Sequence, residues 1–75
     1  MLEINKKDFR YRNENDTTIL AYQVIYHKMY FLKGNTKKYI EAKLKGKDYS
    51  LDQKYIDYLL GEGILIEKRG KKNEI

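Results

Sequence analysis

Apolar residues recur at helical spacing in three segments of the chain, and the residues between the segments are typical of helix ends. The first segment spans 16–33, where Asp16 or Thr17 can cap a helix and Gly34 with Asn35 can stop it. Its apolar residues cover one broad arc and a second, narrower arc nearly opposite. The pattern therefore predicts a long first helix that packs on two sides, the second partner being the N-terminal segment or another subunit.

Two shorter helices are predicted farther along the chain. The segment 36–46 places lysines on one side and apolar residues on the other, and it ends at a glycine. The segment 50–61 begins with Ser50 and Gln53 at the spacing of a capping box. The residues expected on its buried side are Leu51, Tyr55, Ile56, Leu59 and Leu60. These two segments complete a predicted set of three helices.

The two ends of the chain carry β patterns. Residues 1–15 are expected to form an N-terminal arm or strand, with residues 9–12 as the strand. Residues 63–75 begin with a β-branched run and contain a glycine between basic residues, which predicts a β-hairpin with its tip at Gly70. The whole chain, 1–75, is expected to form a single domain.

Length and composition indicate that this domain needs additional burial to be stable. A chain of 75 residues with 41% hydrophobic content buries only about 60% of its unfolded surface. It has no cysteine and no cluster of metal ligands to reinforce the fold, so a homodimer is favoured. The expected subunit interface is the narrower arc of the first helix, formed by Leu20, Val24 and Phe31.

Basic charge is concentrated in two parts of the sequence. The formal net charge is +5, and the isoelectric point is near 9.4. Residues 33–47 contain six lysines and one glutamate, and residues 64–75 contain four basic and two acidic residues. The predicted helix between them is slightly acidic. This distribution indicates a polyanionic partner that contacts two cationic segments.

The element order helix, helix, helix and β-ribbon resembles the winged helix-turn-helix family. The segment YIDYLLGEGILIEKRGKK carries most of the resemblance: a helix ending in paired leucines, a glycine-bounded turn, an apolar strand and a basic wing. The resemblance implies a mainly α fold with a small β-hairpin wing (α+β), in which 37–45 is the supporting helix, 51–60 the recognition helix and 64–75 the wing. It also implies sequence-specific binding of double-stranded DNA.

Within that family, the TubR group of plasmid and phage partition adaptors is similar to this chain in size and element order. TubR-type proteins bind centromere repeats as dimers, link them to a tubulin-like GTPase, TubZ, and often repress their own operon. The resemblance therefore implies a homodimeric partition adaptor with such a GTPase as its protein partner. A transcriptional repressor is the nearest competing function.

Two groups of residues are expected to contact DNA. Lysine and arginine displace counterions from phosphates, and the residues expected to do so are Lys37, Lys38, Lys45, Lys68, Arg69, Lys71 and Lys72. Polar side chains at the start of the recognition helix can read base edges, and the residues expected there are Tyr49, Ser50, Gln53 and Lys54.

A protein-interaction module is the alternative from a different class. A phage-type inhibitor that binds a host protein would carry its lysines for solubility, and the salt dependence of DNA binding would separate the two functions. An enzyme is not expected, because the sequence has no phosphate-binding loop, nucleophile motif, metal-ligand cluster or paired-carboxylate motif. We expect no cofactor, no small-molecule ligand, no membrane association and a cytoplasmic location.

Overall fold

The computed structural model describes residues 2–67, which form two small antiparallel sheets and two helices. Three strands follow one another as a meander, two helices come next, and a short last strand returns to the first one. In chain order the elements are β1 Leu2–Ile4, β2 Phe9–Asn15, β3 Thr18–Gln23, β4 Lys28–Lys33, α1 Gly34–Leu44, α2 Gln53–Gly61 and β5 Leu65–Glu67.

The larger sheet consists of β2, β3 and β4, with β3 in the centre. Between β2 and β3 the chain reverses in a tight turn, where the Asn15 side chain accepts a hydrogen bond from the Thr17 N–H at 2.9 Å. Between β3 and β4 it reverses through residues 24–27. There His27 takes the left-handed backbone conformation, φ 57°, that glycine or asparagine usually supplies in hairpins.

The smaller sheet pairs β1 with β5 and so joins the two ends of the described chain. Asn5, which follows β1, is buried and extends this connection. Its N–H donates to the Ile64 carbonyl at 2.8 Å, and its side-chain amide donates to the Gly63 carbonyl at 3.0 Å. A buried amide that loses its hydrogen bonds is costly, so these contacts are favoured. Asn5 therefore holds the loop before β2 against the segment after α2.

The core lies between the larger sheet, α1 and the segment from α2 to β5. Side chains alternate between the faces of a strand, and Ile19, Ala21 and Leu32 come from the inward face of the sheet. The other buried members of the core are Ile4, Phe9, Tyr39, Ile40, Leu59, Ile64 and Leu65. Both helices and both sheets therefore contribute to one hydrophobic cluster.

The prediction of a first helix over 16–33 is wrong. These residues form β3, β4 and the turn between them. The apolar residues on two sides of the predicted helix belong to the two faces of a β-hairpin, because successive strand residues point to opposite faces. Residues 24–27 contain no glycine, proline, asparagine, aspartate or serine, so the sequence lacked the usual sign of a chain reversal.

The predicted fold class, mainly α with a small β-hairpin wing, is consequently also wrong. The described residues form a mixed α+β fold with five strands, and the order of elements is not that of a winged helix. The strand expected over 9–12 is present within β2, which extends to Asn15.

The helix expected over 36–46 is present as α1, and most of the helix expected over 50–61 is present as α2. Because α2 begins after Asp52, Ser50 does not cap it. The wing expected over 63–75 is not a hairpin in its described part, since β5 pairs with β1. The predicted tip and return strand, 68–75, lie outside the described residues.

Candidate functional site

The strand β4 lies at the edge of the larger sheet, and within residues 2–67 it pairs with β3 alone. The Val24 N–H donates to the Asp8 carbonyl at 2.9 Å, which makes these residues a hydrogen-bonded pair at the end of the β2–β3 ladder. Bonded and non-bonded pairs alternate in an antiparallel ladder, so the backbone groups of Met29 and Phe31 point away from β3. In the described part of the chain no hydrogen bond reaches these groups.

Two large apolar side chains stand beside this open edge. Met29 and Phe31 are 58% and 56% exposed, and they lie on the face of the sheet that points away from the core. The residues that alternate with them, Tyr30 and Leu32, turn toward the core. Unpaired backbone groups next to exposed apolar side chains are the features that favour addition of another strand.

A groove runs between β4 and α2. One wall is Phe31, and the other is formed by Tyr55 and Tyr58, which are 42% and 48% exposed. The residues that line the groove are Phe31, Leu32, Lys33, Thr36, Lys54, Tyr55 and Tyr58. Three aromatic rings thus border a groove next to an unpaired strand edge.

The position of α2 beside β4 is fixed by packing and by one hydrogen bond. Leu59 is completely buried and holds the middle of α2 against the core. Near the end of the helix, the Tyr30 hydroxyl donates to the Glu62 carboxylate at 2.9 Å. Burial, followed by this contact with Glu62, raises the pKa of Tyr30 above the ordinary value of 10.0, so its hydroxyl keeps its proton to higher pH than an exposed tyrosine does.

The groove is cationic. Lys33 and Lys54 line it, whereas no carboxylate does. The Lys54 ammonium lies 5.1 Å from the centre of the Tyr55 ring, a cation–π contact that holds the charge at the rim. Lys28 begins β4 at its other end and is also exposed. A ligand with apolar and acidic side chains would complement this site.

Three of the residues predicted to bind DNA phosphates lie within the described chain, on α1 or directly after it. Lys37 is paired with Glu41 at 2.6 Å, and its side chain is only 12% exposed. Lys38 is exposed on α1, and Lys45 is exposed directly after its last residue. The four wing residues, Lys68, Arg69, Lys71 and Lys72, lie outside the described residues.

The residues predicted to read bases are partly engaged within the protein. The Tyr49 hydroxyl donates to the Asn35 side chain at 3.1 Å, and the Gln53 amide donates to the Asp57 carboxylate at 2.9 Å. Ser50 is exposed in the segment before α2. Of the four, Lys54 alone lines the groove between β4 and α2.

The residues predicted to form a dimer interface lie on two strands and the turn between them rather than on a helix. Leu20 is buried in β3, Val24 lies in the turn, and Phe31 stands opposite Leu20 on β4. Met29 and Tyr55 were expected to pack within the protein rather than to bind a partner in a groove, so these parts of the site were missed. The strand sequence KMYFLK, with apolar residues between lysines, is the pattern that could have indicated a protected edge.

Among residues 2–67 no group of three histidine, aspartate or glutamate side chains could hold a metal ion, and no helix is long and apolar enough to cross a membrane. Comparisons with protein-family models, with curated proteins and with solved structures found no match. The geometry of the β4 edge and its groove is therefore the basis for a functional interpretation.

Proposed function

We propose that this protein is a binding module for an extended, acidic segment of another polypeptide, which adds to β4 as a further strand. The observation that carries the proposal is the coincidence of an unpaired edge, at Met29 and Phe31, with a groove that has aromatic walls. In this mode of recognition, backbone hydrogen bonds contribute affinity and pockets for alternate side chains contribute specificity.

The two walls of the groove suit alternate residues of an added strand. A strand hydrogen-bonded to β4 would lie about 4.8 Å away, in the space toward α2. Every second side chain would then point toward α2 and the rings of Tyr55 and Tyr58, while Phe31 borders the groove on the side of β4. The exposed surfaces of these rings can bury apolar groups. This arrangement favours a ligand with apolar residues at every second position.

Charge favours an acidic ligand over a second copy of this chain. Antiparallel pairing of β4 with its own copy would bring the Lys28 end of one strand to the Lys33 end of the other. Like charges at neighbouring cross-strand positions are destabilising, and each chain already carries a net charge of +5. Carboxylates in the ligand would instead complement Lys33 and Lys54 at the rim.

DNA binding stays a prediction from the charge pattern. Its expected phosphate contacts include Lys37, which is occupied by Glu41, and its expected base contacts include Gln53, which is occupied by Asp57. An ion pair or hydrogen bond of this kind can open when a ligand binds. DNA titration at several salt concentrations is therefore the measurement that decides whether the protein binds DNA.

Selection from a random peptide library displayed on phage tests the proposal with the whole chain as target. We expect the enriched peptides to alternate apolar with acidic residues over about five to six positions, the usual length of a strand. In two-dimensional NMR spectra, an enriched peptide should shift the amide resonances of β4 and α2. Absence of enrichment, enrichment of basic peptides, or shifts confined to other elements would contradict the proposal.

A further inference from the structure

The turn between β3 and β4 is apolar and exposed. Val24, Ile25 and Tyr26 follow one another there, and Ile25 and Tyr26, at 65% and 71% exposed, are the most exposed large hydrophobic residues of the described chain. None of the three is part of the core cluster. The turn does not need them, because His27 supplies the left-handed residue and polar residues form such turns more readily.

Hydrogen bonds at the first and last residues of this turn, Val24 and His27, hold its base in place. The Val24 N–H donates to the Asp8 carbonyl at 2.9 Å, and the Tyr22 hydroxyl and the His27 imidazole share a hydrogen bond. Both contacts lie below the tip. An ordered hairpin therefore presents the side chains of Ile25 and Tyr26 outward.

Basic residues lie at the end of the sheet that carries the tip. Lys28 follows it directly, and an Arg10 guanidinium N–H donates to the Lys6 carbonyl at 3.1 Å, which places the loop containing Lys6 and Lys7 beside the start of β2. Asp8 is the one carboxylate in the loop and the turn together. Four basic residues against one acidic residue leave this end of the sheet positively charged.

We infer that this tip docks on an anionic membrane surface, with Ile25 and Tyr26 inserted among the lipid headgroups. Aliphatic and aromatic side chains are favoured at the boundary between headgroups and acyl chains, and lysines or arginines around them attract anionic lipids. A contact made by so few side chains is weak and reversible. It requires no membrane-spanning helix.

Charge and shape favour a membrane over the cleft of a partner protein. The tip is an exposed apolar turn with basic residues near its base, which complements a surface that is anionic outside and apolar beneath. The inference is independent of the proposed peptide site, because the groove lies at the Lys33 end of β4 and the tip adjoins its Lys28 end.

The absence of tryptophan from the sequence allows a site-specific test. Tyr26→Trp places a single fluorescent reporter at the tip, and Tyr58→Trp places a matched reporter in the groove. With vesicles of equal parts phosphatidylglycerol and phosphatidylcholine, we expect the emission of the first variant to shift to shorter wavelength and that of the second to stay unchanged. Pure phosphatidylcholine should give no shift, and about 0.5 M NaCl should reverse it.

Vesicle sedimentation with variants that carry no tryptophan reporter separates the apolar and cationic contributions to membrane binding. The double variant Ile25→Ser with Tyr26→Ser should lower the fraction bound to anionic vesicles by about tenfold, whereas Ile66→Ser, an exposed apolar residue on β5, should leave it unchanged. Lys28→Glu should lower it by about fivefold. Failure of the unaltered chain to bind anionic vesicles, or full binding by the double serine variant, would overturn the inference.

Discussion

The larger sheet has two edge strands, β2 and β4, and they differ in how they are protected against pairing with another strand. β2 has exposed charged or polar residues from Arg12 onward, and a bulge interrupts its register between Asn13 and Asn15. The Arg10 guanidinium also donates to the Phe9 carbonyl at 3.1 Å, which occupies an acceptor at that edge. β4 has neither a bulge nor such a contact, and it exposes large apolar residues.

This contrast shows that protection against strand pairing is selective. Charged residues, bulges and side chains that bond edge carbonyls are the means by which edge strands avoid association. β2 uses all three. On β4 only the terminal lysines act in this way, and they repel a second copy while leaving the edge open to an acidic strand. The predictions that follow test this contrast, and the first four use a library-selected peptide as ligand.

The largest effect is expected from a negative charge in the aromatic groove. Phe31→Asp should weaken binding of the acidic peptide by about a hundredfold, because it removes an aromatic contact and adds like charge. Arg12→Asp is the matched control on β2, since Arg12 and Phe31 both stand opposite Leu20, and it should change binding less than about twofold. Isothermal titration calorimetry measures both. Equal weakening by the two variants would mean that net charge, rather than the β4 site, determines binding.

A proline at the open edge tests the backbone contribution. Met29→Pro removes an N–H that points away from β3, so the sheet should stay folded while peptide binding falls by about tenfold. Asn13→Pro removes an outward N–H from β2 and should leave binding unchanged. Circular dichroism confirms the fold of each variant before titration. Unchanged binding by Met29→Pro would show that the ligand does not pair with β4.

A smaller effect is expected from charge at the rim. Lys54→Glu should weaken binding by about fivefold at low salt, and the loss should shrink as salt screens the interaction. Lys38→Glu on α1 makes the same change in net charge away from the groove. Titrations at two salt concentrations distinguish them, and an equal loss for both variants would point to long-range attraction alone.

The smallest effect is expected from the inward-facing tyrosines of the two edge strands. The Tyr11 hydroxyl donates to the Asn5 carbonyl at 2.8 Å, and the Tyr30 hydroxyl donates to Glu62. Tyr11→Phe and Tyr30→Phe should each lower the free energy of unfolding by about 1 kcal/mol. Only Tyr30→Phe should also weaken peptide binding, by about threefold, because it loosens α2 beside β4. Equal effects of the two variants on peptide binding would show that the groove does not depend on the hydrogen bond between Tyr30 and Glu62.

The same tyrosines predict a loss of stability in alkaline solution. Burial raises the pKa of Tyr11, and burial with Glu62 raises the pKa of Tyr30 above the ordinary value of 10.0. The unfolded chain therefore releases these protons first, so stability is full below pH 10.0 and declines as the pH rises above it. Denaturant unfolding at increasing pH should show this decline, and it should be shallower in each phenylalanine variant.

Local patterns in the sequence predicted the two helices but not the sheets. The residues of α1 and α2 have an amphipathic period within each segment, whereas β1 and β5 pair across most of the chain and no local pattern specifies such a partner. The β3–β4 hairpin was hidden because its turn is built from Val24, Ile25, Tyr26 and His27. Two of these residues, Ile25 and Tyr26, are the ones that we infer to contact a membrane.

The sequence predicted only part of the candidate site. Phe31 was assigned to an intermolecular contact and Lys54 to ligand binding, and both line the groove, although each was placed in a different context. Tyr55 was expected to be buried because its position fits the apolar side of a three-helix arrangement. With β3 and β4 in place of the first helix, Leu59 on that side of α2 is buried, whereas Tyr55 lines the groove.

Hydrogen exchange of individual backbone amides tests the central claim most directly. With a saturating library-selected peptide, the outward-pointing amides of Met29 and Phe31 should exchange markedly more slowly, since they become hydrogen-bonded to the added strand. The outward-pointing amides of Tyr11 and Asn13 on β2 should keep their rates. Unchanged exchange at Met29 and Phe31, or new protection at Tyr11 and Asn13, would contradict addition of a strand to β4.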